Sequence, residues 1–379
     1  MVKETKRVNY IDNLRWITVS LLVLYHAAMA YNTWGEANYI FFEEVKLLAA
    51  IVVLISPWFM PFMFMLAGIS SAYSLKKRGY KAFILERFKR LGIPFVFGML
   101  VINPILSYIA DVYHNGYTGG FIKHYGVFFT KYTDLTGYDG GFTLGHFWFV
   151  AVLIVISLLS CFIIKLADIF KKKYVKNIRK FKIIGGVLLA AAAIGTFEVY
   201  AFGKRIITYL AVYLLGYYFF KDREFVKKIA VYKWPLTAAF VALSAANTVI
   251  YIFIGGNETL NTICMYGAFI SGMLALISIG HDHLDFTGTF SRFNSRISYV
   301  YYIIHYPIVV LCQYHFDMVN LGHIINFFLT LAIAYPFTDL WCWVIDKTKY
   351  FRILFGLKGH PRRDCPSPSP ARGRDGSVF

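Results

Sequence analysis

The feature that most constrains this chain is the recurrence of apolar runs long enough to cross a lipid bilayer. A hydrocarbon layer about 30 Å thick needs roughly 20 apolar residues of helix, and such runs follow one another along almost the whole sequence. Because backbone inside lipid must satisfy its own hydrogen bonds, these runs predict helices. Ten spans are predicted: 14–31, 47–73, 91–112, 143–164, 183–201, 205–220, 235–254, 261–280, 297–315 and 321–345.

Composition supports a membrane protein over a soluble enzyme with an anchor. The chain of 379 residues is 58% hydrophobic and 16% charged, and its mean hydropathy is +0.54, far from the values of soluble proteins. No segment is left that could form a separate soluble domain. We therefore expect residues 1–358 to form one all-α polytopic integral-membrane bundle. Proline inside the spans, as at Pro57, Pro61 and Pro307, is compatible with membrane helices.

The net charge of +18 could indicate nucleic acid, but the positions of the basic residues favour a bilayer. With a cytoplasmic N-terminus, inward segments carry 34 of the 39 Lys and Arg residues, which is the bias expected of a cell-membrane protein. This predicts two cytoplasmic termini in a bacterial inner (cytoplasmic) membrane. Membrane lipid is the expected surrounding, and no nucleic-acid partner is expected.

The two ends of the chain need separate interpretation. The basic start, the apolar run and Ala28–Ala30 also resemble a cleavable signal peptide, but an internal histidine and the following spans favour a first membrane helix. Residues 359–379 shift abruptly to Pro, Arg and Ser and predict a disordered cytoplasmic tail or an expression artefact. The five cysteines lack metal-ligand spacing and are predicted to be packing residues.

The first predicted span carries two ionisable residues on one face. Arg15 and His26 are 11 residues apart, which is about three helical turns and a rise of about 16 Å. Arg15 is placed to reach headgroups or a phosphate, whereas His26 is expected close to the bilayer centre, where an ionisable group usually has a function. Histidine can accept and return a proton at ordinary pH. The alternative is a structural histidine in an interhelical hydrogen bond.

A second motif, "ERFKRLGIPF" at 86–95, leads into the third span. Arg87 and Arg90 are spaced to point the same way, either toward anionic lipid headgroups or toward the phosphates of a bound ligand. Together with His26, the second interpretation describes a phosphate clamp at the rim and a proton-transfer residue deeper on the same side. A nucleotide with a long thin reactive arm fits that shape, and coenzyme A is the familiar example.

These stretches resemble a known family. "YIDNLRWITVSLLVLYH" (10–26) is similar to the Arg, ten residues, His signature of the membrane-bound acyltransferase family 3, and "RFKRLGIP" (87–94) resembles its Arg-x-x-Arg loop. "GHFWFVAVLIV" (145–155) and "SRISYVYYIIHYPIV" (295–309) also match. The chain looks closest to the branch that contains glucan biosynthesis protein C, a succinyltransferase.

The resemblance implies an O-acyltransferase that moves an acetyl or succinyl group from cytosolic acyl-CoA to a hydroxyl of an extracytoplasmic or lipid-linked glycan. It implies His26 as the catalytic histidine and Arg15, Arg87 and Arg90 as donor-binding residues. Acetyl-CoA or succinyl-CoA is the expected co-substrate, and no metal is expected. The family's Ser-Gly pair in the second span is Ala67-Gly68 here, so any role of that serine hydroxyl is absent.

Three further residues are candidate acceptor contacts. His146 and Trp148 begin the fourth span and are expected near the outer face, where they could contact a sugar or act as an interfacial anchor. His305 lies mid-span before Pro307 and could relay protons, bind the acceptor or serve packing. Asp12 is predicted to pair with Arg15.

Other polar residues carry less information. "HDHLD" at 281–285 invites a metal interpretation, but one short run gives poor ligand geometry and no distant partner is evident. Glu198 and Asp339 lie in or near spans without an assigned task.

Two rival functions remain at this point. A transporter or flippase for a sugar or lipid-linked glycan would use His26 as a proton relay, although internal repeats are not evident. A structural scaffold for envelope-polymer assembly would make His26 dispensable.

Overall fold

The chain folds into a helical bundle. The computed structural model describes residues 8–133, 135–175, 177–195, 198–201, 203–319 and 321–357. Its helices are α1 (Asn9–Met29), α2 (Lys46–Arg78), α3 (Tyr80–Asn115), α4 (Phe121–Thr130), α5 (Trp148–Tyr174), α6 (Ile178–Ala193), α7 (Ile206–Phe220), α8 (Arg223–Ala230), α9 (Lys233–Ile254), α10 (Glu258–His283), α11 (Thr289–Val319), α12 (His323–Lys347) and α13 (Lys349–Leu354). Strands β1 (Tyr200–Ala201) and β2 (Lys204–Arg205) form a short antiparallel hairpin, with Tyr200 opposite Arg205.

Each of the ten predicted spans overlaps a helix. Six helices of the described part are long and apolar enough to cross a membrane: α2, α3, the helix over Gly145–Lys173, α9, α10 and α12. This establishes a nearly all-helical chain with several spans, and the count of ten, like the side of each terminus, stays a prediction. The predicted span 183–201 is too long, because α6 ends at Ala193 and Tyr200 already belongs to a strand. The predicted tail, 359–379, lies outside the described residues.

Several of the long helices contain proline, including α2 and α3. α2 contains Pro57 and Pro61 without a break. α3 has two wide π-helical turns, Phe88–Gly92 and Gly98–Ile102, close before Pro94 and Pro104. Proline lacks an N–H and its ring crowds the preceding turn, so a locally wider turn lets the helix continue. The first of these turns contains Arg90.

α2 and α7 approach unusually closely. A Cβ added to Gly68 would lie 2.0 Å from the carbonyl oxygen of Tyr213, and one added to Gly216 would lie 2.3 Å from that of Met65. Small residues permit such backbone contact between membrane helices. The glycine of the Ala67-Gly68 pair is therefore required by helix packing.

Two partly buried segments, here called the capping loops, cover one end of the bundle: residues 30–45 and the described residues of 131–147. Tyr39 is 2% exposed, and the Tyr113 hydroxyl donates to the carbonyl of Phe41 (2.8 Å). His114 Nε2 donates to the carbonyl of Asn38 (2.7 Å). The capping loops are thus packed parts of the fold at the end where α1 stops. The opposite end, where α2 meets α3, carries Lys77, Arg78 and Arg87 and is called the basic end.

Candidate active site

Two cavities enter the bundle from its two ends. The cavity at the basic end has a volume of about 400 Å³ and is called the basic cavity. The one under the capping loops has about 600 Å³ and is called the histidine cavity. Six basic side chains and one carboxylate line the basic cavity: Arg15, Lys77, Arg78, Arg87, Arg90, Arg296 and Glu86. This excess of positive charge favours an anionic ligand.

Two serines of α2 hold two of the arginines. The Ser70 hydroxyl accepts a hydrogen bond from Arg15 (2.5 Å), and the Ser71 hydroxyl accepts one from Arg87 (2.5 Å). Asp12 accepts a further bond from Arg15 (3.0 Å), which confirms that predicted pair. These serines follow Ala67 by one helical turn. They anchor the guanidinium groups at the cavity wall, with N–H donors left for a ligand.

Two other arginines of the basic cavity differ from these. Arg90 was predicted and is less constrained, whereas Arg296 was not predicted. Arg90 is half exposed and lies 3.7 Å from Glu86, which also pairs with Arg78. Arg296 of α11 is held by both carboxylate oxygens of Asp346 (3.1 and 2.7 Å). Only the fold brings Arg296 beside Arg87, and its pairing with an acid on α12 is not visible as a sequence motif.

His26 lines the histidine cavity. It lies in the last turn of α1, which ends at Met29, and the expected position close to the bilayer centre stays a prediction. The capping loops enclose it. Its ring stacks on Tyr306 with centroids 3.9 Å apart, and the Tyr306 hydroxyl donates to Asn38 (2.5 Å). Buried His26 Nδ1 has no hydrogen-bond partner among the described residues.

Two more histidines surround this ring. His305, fully buried, lies 5.3 Å from His26 and 5.7 Å from His146 between ring centroids. His305 Nδ1 donates to the carbonyl of Tyr301 (3.1 Å), and His146 Nε2 donates to that of Ile303 (3.0 Å). A carbonyl can only accept, so each neutral ring has a known tautomer: His305 keeps a bare Nε2 and His146 a bare Nδ1.

Trp148 also lines the histidine cavity. Its ring stacks on Tyr209 at 5.9 Å, and the Lys204 ammonium lies 4.8 Å from its centre. The hairpin that carries Lys204 is thus attached to the cavity wall. Trp148 presents an aromatic surface beside His146.

Tyr302 lines both cavities. Its hydroxyl donates a short hydrogen bond to the carbonyl of His146, which ties α11 to the start of α5. Among the described residues, Tyr302 is the lining residue that these two cavities have in common. Tyr302 was not predicted, because tyrosines are frequent in this chain and its position depends on how α11 packs against the start of α5.

The structure thus sorts the predicted site residues into two groups. Arg15, Arg87 and Arg90 meet at the basic cavity, and His26, His146 and Trp148 meet at the histidine cavity. His305 lies behind His26. The structure gives their positions, and the roles assigned to them stay predictions.

The remaining polar candidates are structural or peripheral. In "HDHLD", Asp282 pairs with Lys233 (2.5 Å) and Asp285 with Arg223, and the described residues contain no group of three metal-ligating side chains. Glu198 caps the start of α7 by accepting from the amide of Ile207 (2.8 Å) and from the hydroxyl of Thr208 (2.7 Å). Asp339 lies on an exposed face of α12, outside both cavities.

Comparison with known proteins gives one match. A family model described as an acyltransferase domain matches residues 8–347, which includes every candidate site residue and nearly all of the described bundle. No curated protein and no solved structure matches the chain. The apolar helices and the extent of this match show a multi-pass membrane acyltransferase, and the chain belongs to the acyltransferase family 3 that its sequence resembles.

Proposed function

We propose that this enzyme binds acyl-CoA in the basic cavity and transfers its acetyl or succinyl group to a hydroxyl of a glycan in the histidine cavity. The observation that carries the proposal is a pair of cavities, one lined by basic side chains and the other by histidines and aromatic rings. Tyr302 lines both. The positive-inside bias of the sequence favours a cytoplasmic position for the basic cavity, on the side where acyl-CoA is made. The glycan is then extracytoplasmic or lipid-linked, at a bacterial inner membrane.

The donor phosphates are expected to bind Arg87 and Arg90, with Arg15 further inside. Guanidinium groups bind phosphate through paired N–H donors, and Ser70 and Ser71 hold two of these groups ready. Arg15 and His26 are separated by a rise of about 16 Å along α1. The thin pantetheine arm can extend over such a distance past Tyr302, whereas the nucleotide stays among the arginines.

His26 is then the general base. It removes the proton of the acceptor hydroxyl while the oxygen attacks the thioester carbonyl; the new C–O bond forms, the C–S bond breaks, and the CoA thiolate takes up the proton from the imidazolium. A covalent route through acyl-His26 uses the same residue as nucleophile. His26 Nδ1 and His305 Nε2 are both buried and make no hydrogen bond among the described residues, and we propose that the nitrogen of His26 that faces the acceptor hydroxyl acts as the base.

The histidine cavity suits a sugar. Its wall combines the aromatic rings of Tyr39, Tyr138 and Trp148 with polar groups of Asn38 and Glu36. Apolar ring surfaces with a few placed polar groups are typical of sites that bind small polar ligands, and aromatic rings pack against the C–H faces of sugars. The wall therefore supports a glycan acceptor.

Binding of labelled acetyl- and succinyl-CoA to the purified protein in nanodiscs tests the donor half. Saturable binding is expected, and Arg87→Ala/Arg90→Ala should lose it. Arg292→Ala is the matched control, because this exposed arginine of α11 lines none of the cavities. Failure of the native protein to bind either donor would contradict the proposal and favour the rival transporter.

Transfer itself is tested with His26→Ala. This variant should bind donor normally but lose transfer by about 10²- to 10⁴-fold, the usual contribution of a general base. Mass spectrometry of envelope glycans from cells with native protein or with His26→Ala identifies the added group as acetyl or succinyl. Unchanged acylation in His26→Ala would exclude this residue as the base. Trapping of an acyl-enzyme without acceptor separates the covalent route from direct transfer.

A further inference from the structure

A third cavity adjoins the histidine cavity. It has a volume of about 380 Å³ and lies between α2, α7, α9 and α10. Tyr25, Ser56 and Glu36 line both this cavity and the histidine cavity, and the Tyr25 hydroxyl lies 3.3 Å from that of Ser56. His26 also lines the histidine cavity, so a ligand that occupies both cavities can reach the imidazole.

Two amide side chains in the third cavity have unused hydrogen-bonding capacity. Asn247 of α9 is only 3% exposed and lines the cavity, and its side chain makes no hydrogen bond to the part of the chain that the structure describes. Asn261 of α10 lines the same cavity, and its buried Oδ1 has no partner within that part either. A buried amide oxygen without a partner is costly, so Asn261 indicates a polar ligand, and Asn247 adds a second amide to the same wall.

The wall contributed by α2 adds hydrogen-bond acceptors. Val53, Pro57 and Pro61 all line the third cavity. A proline has no N–H for the carbonyl four residues earlier, so the carbonyls of Val53 and Pro57 lack their regular helical donor. Both can accept a hydrogen bond from a ligand hydroxyl.

Aromatic rings form the outer part of the same cavity. Trp34 and Tyr251 meet edge to face at 6.1 Å, and the Trp34 indole donates to Glu36 (3.0 Å). Trp34 comes from a capping loop and Tyr251 from α9, so a ligand in the cavity contacts rings from both. Aromatic surfaces beside hydroxyl acceptors fit a ligand with C–H faces and many hydroxyls.

The charges of the third cavity argue against an anion or a lipid chain. Arg205, its one basic lining residue, is held by Glu198 (3.3 Å) and by the Tyr266 hydroxyl (2.6 Å), and Glu36 also lines the cavity. The carboxylates of Glu36 and Glu198 thus outnumber this one cation, so the cavity lacks the excess of positive charge that would favour an anion. A lipid acyl chain would leave the amides of Asn247 and Asn261 without partners. A neutral sugar satisfies them.

We propose that the third cavity is a second sugar subsite, so that the acceptor is an oligosaccharide or polysaccharide of at least two units. This rests on the proposed function. One sugar presents its hydroxyl to His26, and the next unit crosses the Tyr25–Ser56 wall and binds Asn247, Asn261 and Trp34. The enzyme thereby selects a chain over a free monosaccharide.

Calorimetric binding of defined sugars to the full chain in nanodiscs tests the subsite without catalysis. The probes are gluco-, galacto- and manno-sugars, each as methyl glycoside, disaccharide and tetrasaccharide. In one of the three sugar series, the native protein should bind the disaccharide on the order of tenfold more tightly than the methyl glycoside. Asn247→Ala and Trp34→Ala should lose this gain and bind the methyl glycoside as before. Asn294→Ala and Trp343→Ala, which lie outside the cavity, should keep it.

The outcomes separate the two proposals. If no series binds more tightly as a disaccharide, or if the gain survives in both Asn247→Ala and Trp34→Ala, the subsite does not exist. Normal acyl-CoA binding by the two variants shows that they fold. If the length gain depends on Asn247 and Trp34 but no acyl group is transferred from CoA, the subsite stands and the proposed function fails.

Discussion

The rings of His26 and His305 lie 5.3 Å apart, and each has a buried nitrogen without a partner in the described chain. His305 donates from Nδ1 to the Tyr301 carbonyl, so its Nε2 is an acceptor. His26 Nδ1 is the corresponding buried nitrogen on the partner ring. If His26 is the base, as proposed, His305 is the neighbouring ring that could position it.

Replacement of this second histidine should impair turnover rather than donor binding. In His305→Ala, kcat should fall on the order of 100-fold, since a small displacement of a reacting group has effects of that size. KM for acyl-CoA should be unchanged because His305 does not line the basic cavity. Steady-state kinetics provides the measurement, and partial rescue in His305→Gln would support orientation through an acceptor atom. A His305→Ala enzyme with native kcat would show that His26 needs no such partner.

Loss of a serine anchor should weaken the donor site. Ser71→Ala removes the hydroxyl that accepts from both Arg87 (2.5 Å) and Tyr213 (2.6 Å). Hydrogen bonds to charged groups contribute about 1.5–3 kcal/mol, so KM for acyl-CoA should rise about tenfold with little change in kcat. Ser157→Ala is the control, because the buried Ser157 hydroxyl has no partner among described residues. Equal effects of the two substitutions would argue against an anchoring role.

Close contact between α2 and α7 predicts strong destabilisation by one methyl group. In Gly68→Ala the new Cβ would meet the backbone of Tyr213 at 2.0 Å, and backbone cannot move aside as a side chain can. Overpacking of this kind costs about 1–3 kcal/mol. Thermal unfolding in detergent should show a lower midpoint for Gly68→Ala. Gly126→Ala in α4, where the added Cβ meets nothing within 4 Å, should be neutral or stabilising.

A carboxylate in the second capping loop, that of Asp139, predicts that the stability of the protein depends on pH. Burial raises the pKa of Asp139, but hydrogen bonds from Thr133, the Gly141 amide and Lys131 outweigh it and hold this pKa below its usual range. A depressed carboxyl pKa contributes stability above the unfolded-state value of about 3.9. This contribution is lost as pH falls through the folded-state pKa. Asp139→Asn should therefore lower the melting midpoint at pH 7.

A pH series provides the control for Asp139. The difference between native protein and Asp139→Asn should shrink as pH falls below about 4, because the native carboxyl is then protonated too. A difference that stays constant with pH would assign the effect to packing rather than to charge.

Local pattern was sufficient for much of the fold. Every predicted span overlaps a helix because membrane helices require long apolar runs, and the 3.6-residue repeat was sufficient to place Arg15 and His26 on one side of α1. The boundaries were less predictable: α1 starts at Asn9, before the apolar run, and ends at Met29, and this end leaves His26 in the last turn. The hairpin in which Tyr200 pairs with Arg205 was not predicted, because no apolar run in the sequence marks its short strands.

By itself the sequence determined that this is a multi-pass helical protein, and its Arg and His motifs indicated which residues belong to the site. Tertiary structure alone decided that Arg296 joins the arginines, that Tyr302 lies between two cavities, and that Asn247 faces a third. The physical reason is that helical periodicity is a local property of the chain. Which faces of separate helices meet depends on close contacts such as Gly68 against Tyr213 and on capping loops that fold back over His26, and these join residues far apart in sequence.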